Sequence, residues 1–81
     1  MAENSDAAQA RVFDDMLTAE IAAASSRVEE SEQLARKALR VRDSRSHVWH
    51  SDEAQTQKQA LYELYRQLDA LRNRFPTVHC Q

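Results

Sequence analysis

The sequence contains no glycine. Two-residue hairpin turns, phosphate-cradling loops and dinucleotide-binding fingerprints need glycine where φ is positive or where the backbone passes close to a ligand. None of these devices is open to this chain. Proline occurs once, at Pro76, so one strong helix stop exists. Cysteine also occurs once, at Cys80, which excludes an intrachain disulfide and suits a reducing compartment. Aromatic residues are only 6% and β-branched residues are sparse, which argues against a sheet. No apolar run approaches the ~18 residues a membrane span requires. The acidic opening Met-Ala-Glu-Asn-Ser-Asp lacks the apolar core of a secretory signal. Cys80 stands second from the end, where prenylation needs the fourth position. The expected setting is intracellular and cytoplasmic.

What the chain does contain is helix formers. Alanine is the commonest residue, with 13 copies, and Glu, Gln, Arg and Leu supply much of the remainder. The fold class expected is all-α. Alanine buries little area, and a chain of 81 residues has room for a core of only ~3–5 kcal/mol unless something staples it. With no disulfide available, association with another helix is the simplest staple.

The order of residues divides the chain into a short disordered lead (1–5), one helical hairpin domain (6–75) and a flexible tail (76–81). Helix 1 is expected over about 6–43, opened by Ser5 or Asp6 with Gln9 in a partial capping box. Its apolar residues, among them Phe13, Met16, Leu17, Ile21 and Val28, recur at steps of three and four. The Ser-dense segment 44–50 reads as the loop. Ser51, Asp52 and Glu53 then read as a capped, acidic first turn of helix 2, over about 51–75. Leu61, Leu64, Leu68, Leu71 and Phe75 make a clean heptad stripe along it. Helix 1 is then longer than helix 2, so Val12, Phe13, Met16 and Leu17 project beyond the reach of their partner. Leaving each large side chain in water costs ~1.5–3 kcal/mol. A second copy of the chain, another helical protein, or a kink at Ser25–Ser26 giving a three-helix bundle would cover them. The leading expectation is an antiparallel hairpin assembled into a coiled-coil-like oligomeric bundle.

Charge is unevenly distributed although the net charge is only −2. Residues 1–34 hold eight acids against two arginines, net −6, and residues 35–50 hold five cations against Asp43, net +4. This suits the dipole of a long helix and would also favour antiparallel pairing of two copies. It raises an alternative function, a nucleic-acid-binding regulator using Arg36, Lys37, Arg40, Arg42 and Arg45. The acidic balance and the lack of any DNA-binding motif rank nucleic acid below a protein partner.

Candidate chemistry is thin. His47, His50, His79 and Cys80 are the soft ligands, and adjacent His79 and Cys80 suit one metal poorly. A metal-binding bundle therefore ranks third, and no metal or cofactor is expected. Nothing provides an oxyanion loop or a pocket for a Cys–His nucleophile, so no enzymatic activity is expected. The single tryptophan, Trp49, reads either as a cap over the core's end or as an exposed partner anchor. The expected function is a protein–protein interaction module, an adaptor, regulator or structural subunit. Its interface would draw on Phe13, Met16, Leu17, Ile21, Trp49 and the Leu61–Phe75 stripe.

Residues 59–66, Gln-Ala-Leu-Tyr-Glu-Leu-Tyr-Arg, followed by Arg74-Phe75-Pro76, locally resemble the signature helix of the mitochondrial LYR family, with Leu64-Tyr65-Arg66 as the matching tripeptide. The resemblance implies a small three-helix fold that this motif opens. It covers roughly a fifth of the chain, and the sequence departs from the pattern: 15 residues follow Arg66, and the long preceding segment has no counterpart. No family assignment rests on it.

Overall fold

Two helices account for the structure, a computed structural model that describes the backbone of residues 2–76 and the side chains of residues 5–76. Helix α1 spans Ala2–Arg40 and helix α2 spans Ser44–Arg74. They lie antiparallel as a hairpin 61 × 16 × 15 Å in extent. A helix of 39 residues is ~58 Å long at 1.5 Å per residue, so α1 runs the full length of the rod. The narrow cross-section leaves no place for an arm folded back on itself. Helix α1 is continuous through Ser25–Ser26, and the kinked three-helix alternative is set aside. The expected disordered lead is also corrected: residues 2–5 belong to α1, and Ser5 and Asp6 sit inside it instead of capping it.

The seam follows from spacing. The buried or half-buried line of α1 is Ala10, Asp14, Leu17, Ile21, Ala24, Val28, Ser31, Ala35 and Ala38, alternating steps of four and three. The facing line of α2 is His47, His50, Ala54, Gln57, Leu61, Leu64, Leu68, Leu71 and Phe75, with the same alternation. A repeat of 3.5 residues keeps one stripe of each helix on its neighbour along the whole rod. The α1 line is richer in small residues than the α2 line, and the four leucines of α2 lie opposite Leu17, Ile21, Ala24 and Val28. The register is read from cross-links. Ser31 Oγ donates to Gln57 Oε1 at 2.9 Å, and Lys58 Nζ meets Glu32 Oε2 at 2.7 Å. The His47 Nδ1–H donates to the Ala35 carbonyl at 2.9 Å. Arg72 grips Asp14 at the far end.

The turn lies earlier than the sequence suggested. Segment 44–50 is not a loop; it forms the first two turns of α2, and the cap is Asp43 instead of Ser51 or Asp52. Serine and aspartate compete with a helical backbone in its interior but favour its N-terminus, and here they stand at one. The Asp43 carboxylate accepts the Ser46 N–H at 3.1 Å. That hydrogen bonding from Ser46 holds the Asp43 carboxyl below the usual carboxylate range. The same residue closes α1: its N–H donates to the Ala38 carbonyl at 2.8 Å while the Arg42 N–H donates to the Leu39 carbonyl at 3.1 Å. This crossed pair is the Schellman arrangement, with Arg42 at the position glycine normally fills. Arg42 adopts φ 60°.

Moving the turn to residues 41–43 changes what lies opposite what. Helix α2, with 31 residues, now reaches back to about residue 10 of α1. The expected overhang of Asp6–Leu17 is therefore corrected, because Phe13 and Leu17 stand beside Leu71 and Phe75. Helix α2 ends at Arg74, before the pre-proline residue Phe75, whose N–H still bonds the Leu71 carbonyl at 2.9 Å. The expected tail beyond Pro76 lies outside the described residues.

A non-glycine residue in the left-handed region costs roughly 1–2 kcal/mol. Replacing Arg42 by glycine (Arg42→Gly) removes most of that strain, part of it offset by the freer unfolded chain. The melting temperature should rise by about 4–8 °C for each kcal/mol recovered. A thermal melt followed by circular dichroism reads it; an unchanged or lower midpoint contradicts the turn geometry.

Candidate interaction surface

Two helices alone bury a single seam, so each seam residue leans towards one flank or the other. Residues seven apart define the flanks. On the first, Thr18, Ser25 and Glu32 of α1 face Arg72, Tyr65 and Lys58 of α2. This flank is polar and bridged. Glu32 is held below the usual carboxylate range by its hydrogen bond and charge attraction to Lys58, whose ammonium is raised in turn.

At its base Asp14 is only 7% exposed, and Arg72 binds it through Nε to Oδ2 at 2.8 Å and a second guanidinium nitrogen to Oδ1 at 3.2 Å. Thr18 Oγ1 adds a longer contact of 3.4 Å to Oδ1. The two-pronged fit is why an acid is tolerated at the end of the seam formed by Ala10, Leu17, Leu68, Leu71 and Phe75.

The second flank is different. Phe13, Glu20, Arg27 and Leu34 of α1 run along it, opposite Glu53, Ala60, Gln67 and Arg74 of α2. Among the described residues no ion pair joins the two helices on this side. Its lower end is an apolar groove of about 300 Å³, open to solvent, walled by Phe13, Leu17, Ala70, Leu71 and Phe75, with Gln67 and Arg74 at the rim. The Arg74 guanidinium lies 5.6 Å from the Phe75 ring centre. Further along, Ala24, Ala60 and Leu64 continue the strip between Glu20, Arg27 and Glu63.

The expected interface residues thus divide. Phe13 and Met16 are each 58% exposed, while Leu17, Leu61, Leu64, Leu71 and Phe75 are half-buried along the open edges of the seam. Ile21 and Leu68 are buried between the helices, where no partner can reach them. Trp49 does not cap the core: it is 60% exposed, packed edge-on against His50 at 5.1 Å. Arg36, Lys37, Arg40, Arg42 and Arg45 are all exposed around the turn. The depression beside Arg36, Lys37 and Arg40 is formed by α1 alone, without a wall from α2.

His47 and His50 are helical and half-buried instead of loop residues. His47 is committed to the Ala35 carbonyl, a structural use the sequence did not announce. Among the described residues no group of three or more His, Cys, Asp or Glu is placed to hold a metal; His79 and Cys80 lie outside them. No helix among the described residues is long and apolar enough to cross a membrane. Comparison with known proteins finds no matching family model, no matching curated protein and no matching solved structure.

The Asp14–Arg72 pair can be tested by asymmetry. Arg72→Met leaves the carboxylate in the seam without its guanidinium and should lower the melting temperature by about 5 °C or more. Adding Asp14→Leu should return the midpoint to the parent value or above it, because a packed apolar pair replaces a desolvated ionic one. Simple additive losses in the double variant contradict this account.

Proposed function

We infer that this chain is a non-enzymatic helical interaction module whose partner packs against the second flank of the hairpin. The observation that carries this reading is the groove of Phe13, Leu17, Ala70, Leu71 and Phe75. It joins half-buried seam residues to the 58%-exposed Phe13, as a helix–helix contact left without its other layer would. A helix laid into the groove meets apolar anchors at steps of three and four with charges at the rim, the usual grammar of helix-in-groove recognition. Leu64 and Ala60 extend the strip, so a long helix gains more than a short one. The partner proposed is a second copy of this chain or another helical protein, acting in an adaptor, regulator or structural role. A cytoplasmic setting belongs to the same proposal and rests on the lone cysteine.

Molecular mass measured in solution across a wide concentration range tests it. The parent chain should associate, and Phe13→Ser with Leu17→Ser should weaken that association at least about tenfold, the effect of ~1.4 kcal/mol, while leaving helicity intact. If the parent stays monomeric throughout, the second copy is excluded. If it also binds no helical partner through this flank, the whole reading falls.

A further inference from the structure

The end of the rod opposite the groove carries an unusual pairing of side chains. Leu39, Val41, Val48 and Trp49 are between 56% and 67% exposed, and all lie within about a turn and a half of the hairpin turn. Around them stand the five exposed cations Arg36, Lys37, Arg40, Arg42 and Arg45, none of which forms a salt bridge with a described acid. The only acid among residues 35–50 is Asp43, whose carboxylate already accepts the Ser46 N–H. The C-terminus of α1 and the N-terminus of α2 meet here, so their dipoles oppose each other and the side chains set the field.

We propose that this tip docks end-on to an anionic lipid surface. Trp49, Val48, Val41 and Leu39 enter the interfacial region, and the surrounding cations meet the lipid phosphates. Tryptophan favours the headgroup level, and arginine and lysine keep their charge in water while their stems lie along apolar surface. The shape makes the charge arrangement workable. The rest of the chain is net −6, yet most of it is spread along a rod 61 Å long. Screening over ~8 Å at physiological salt hides most of those acids from a surface touched by the tip. A nucleic-acid duplex would satisfy the cations but offers the four apolar side chains little, and a convex tip 16 × 15 Å across cannot wrap one. The proposal is independent of the groove, which lies at the other end of the rod.

Trp49 is the only tryptophan, so its fluorescence reports the tip alone. The full chain is titrated with phosphatidylcholine vesicles, with and without phosphatidylserine, and binding is confirmed by co-sedimentation. A blue shift and pelleting with the anionic vesicles, absent with neutral ones and reversed by high salt, are the expected result. Arg40→Gln with Arg45→Gln should weaken partitioning about 25-fold, near fivefold per cation. Val41→Ser with Val48→Ser should reduce the blue shift while leaving pelleting partly intact. Circular dichroism checks that both variants keep the parent helicity; if one does not, Arg36→Gln with Lys37→Gln, on the outer face of α1, serves in its place. Absence of binding, equal binding to neutral vesicles, or tight duplex binding with no vesicle binding would overturn the proposal.

Discussion

Everything in this structure depends on one packing constraint: two helices with no third layer share a single seam, and that seam must be held in register along its whole length. The chain meets the constraint with a strict alternation of threes and fours on both helices. Between the Ser31–Gln57 and Asp14–Arg72 cross-links, Leu17, Ile21, Ala24 and Val28 of α1 lie opposite Leu71, Leu68, Leu64 and Leu61 of α2, and Ile21 and Leu68 are buried there. The polar seam members act as pins at intervals. Asp14–Arg72 and Ser31–Gln57 each satisfy a side-chain partner specific to this register, and His47 on the Ala35 carbonyl adds a third tie. Sliding by a heptad would part Asp14 from Arg72 and Ser31 from Gln57, at the expense of those hydrogen bonds.

The same constraint explains why the surface is lopsided. A hairpin has two flanks, and this one seals the first with Glu32–Lys58 and Arg72 while leaving the second without such a bridge and apolar at its Phe13–Phe75 end. At the turn, the Schellman closure needs a left-handed residue, and with no glycine in the chain Arg42 supplies it; the compact three-residue connection keeps Trp49 and its neighbours near that end of the rod. The two surfaces therefore sit at opposite ends, one at the turn and the other where the C-terminal end of α2 meets the N-terminal part of α1.

Much of α2 was readable in the sequence, and less of α1. The Leu61–Phe75 stripe stands out because leucine and phenylalanine mark every position of the repeat. The α1 stripe hides, since most of its seam is Ala, Ser and Asp, while its conspicuous residues Phe13, Met16, Leu34 and Leu39 lie outside the seam. Judged by large side chains alone, α1 looks like a drifting amphipathic face. The 3–4 spacing runs on through Ala10, Asp14 and Ser31, and those were the missed positions. The turn was misplaced because serine density resembles a loop, whereas Asp43-x-x-Ser46 is a helix start. Without glycine to mark the end of α1, nothing local separated Arg42 from its neighbours. That single shift left Phe13 and Leu17 without a partner helix, whereas in the structure they stand beside Leu71 and Phe75.

The register itself is the claim on which the two surfaces rest, and a distance measurement reaches it directly. Spin labels at exposed Arg11 and Asn73, in a chain carrying Cys80→Ser, report the closed end of the flank by pulsed electron resonance. Helix axes 8–10 Å apart, plus the reach of two labels, give a single narrow distribution near about 20 Å if residues 11 and 73 lie side by side. A turn at 44–50 would displace residue 73 along α1 by roughly ten residues, some 15 Å, and so lengthen and broaden the distance. That longer distribution would contradict the seam described here.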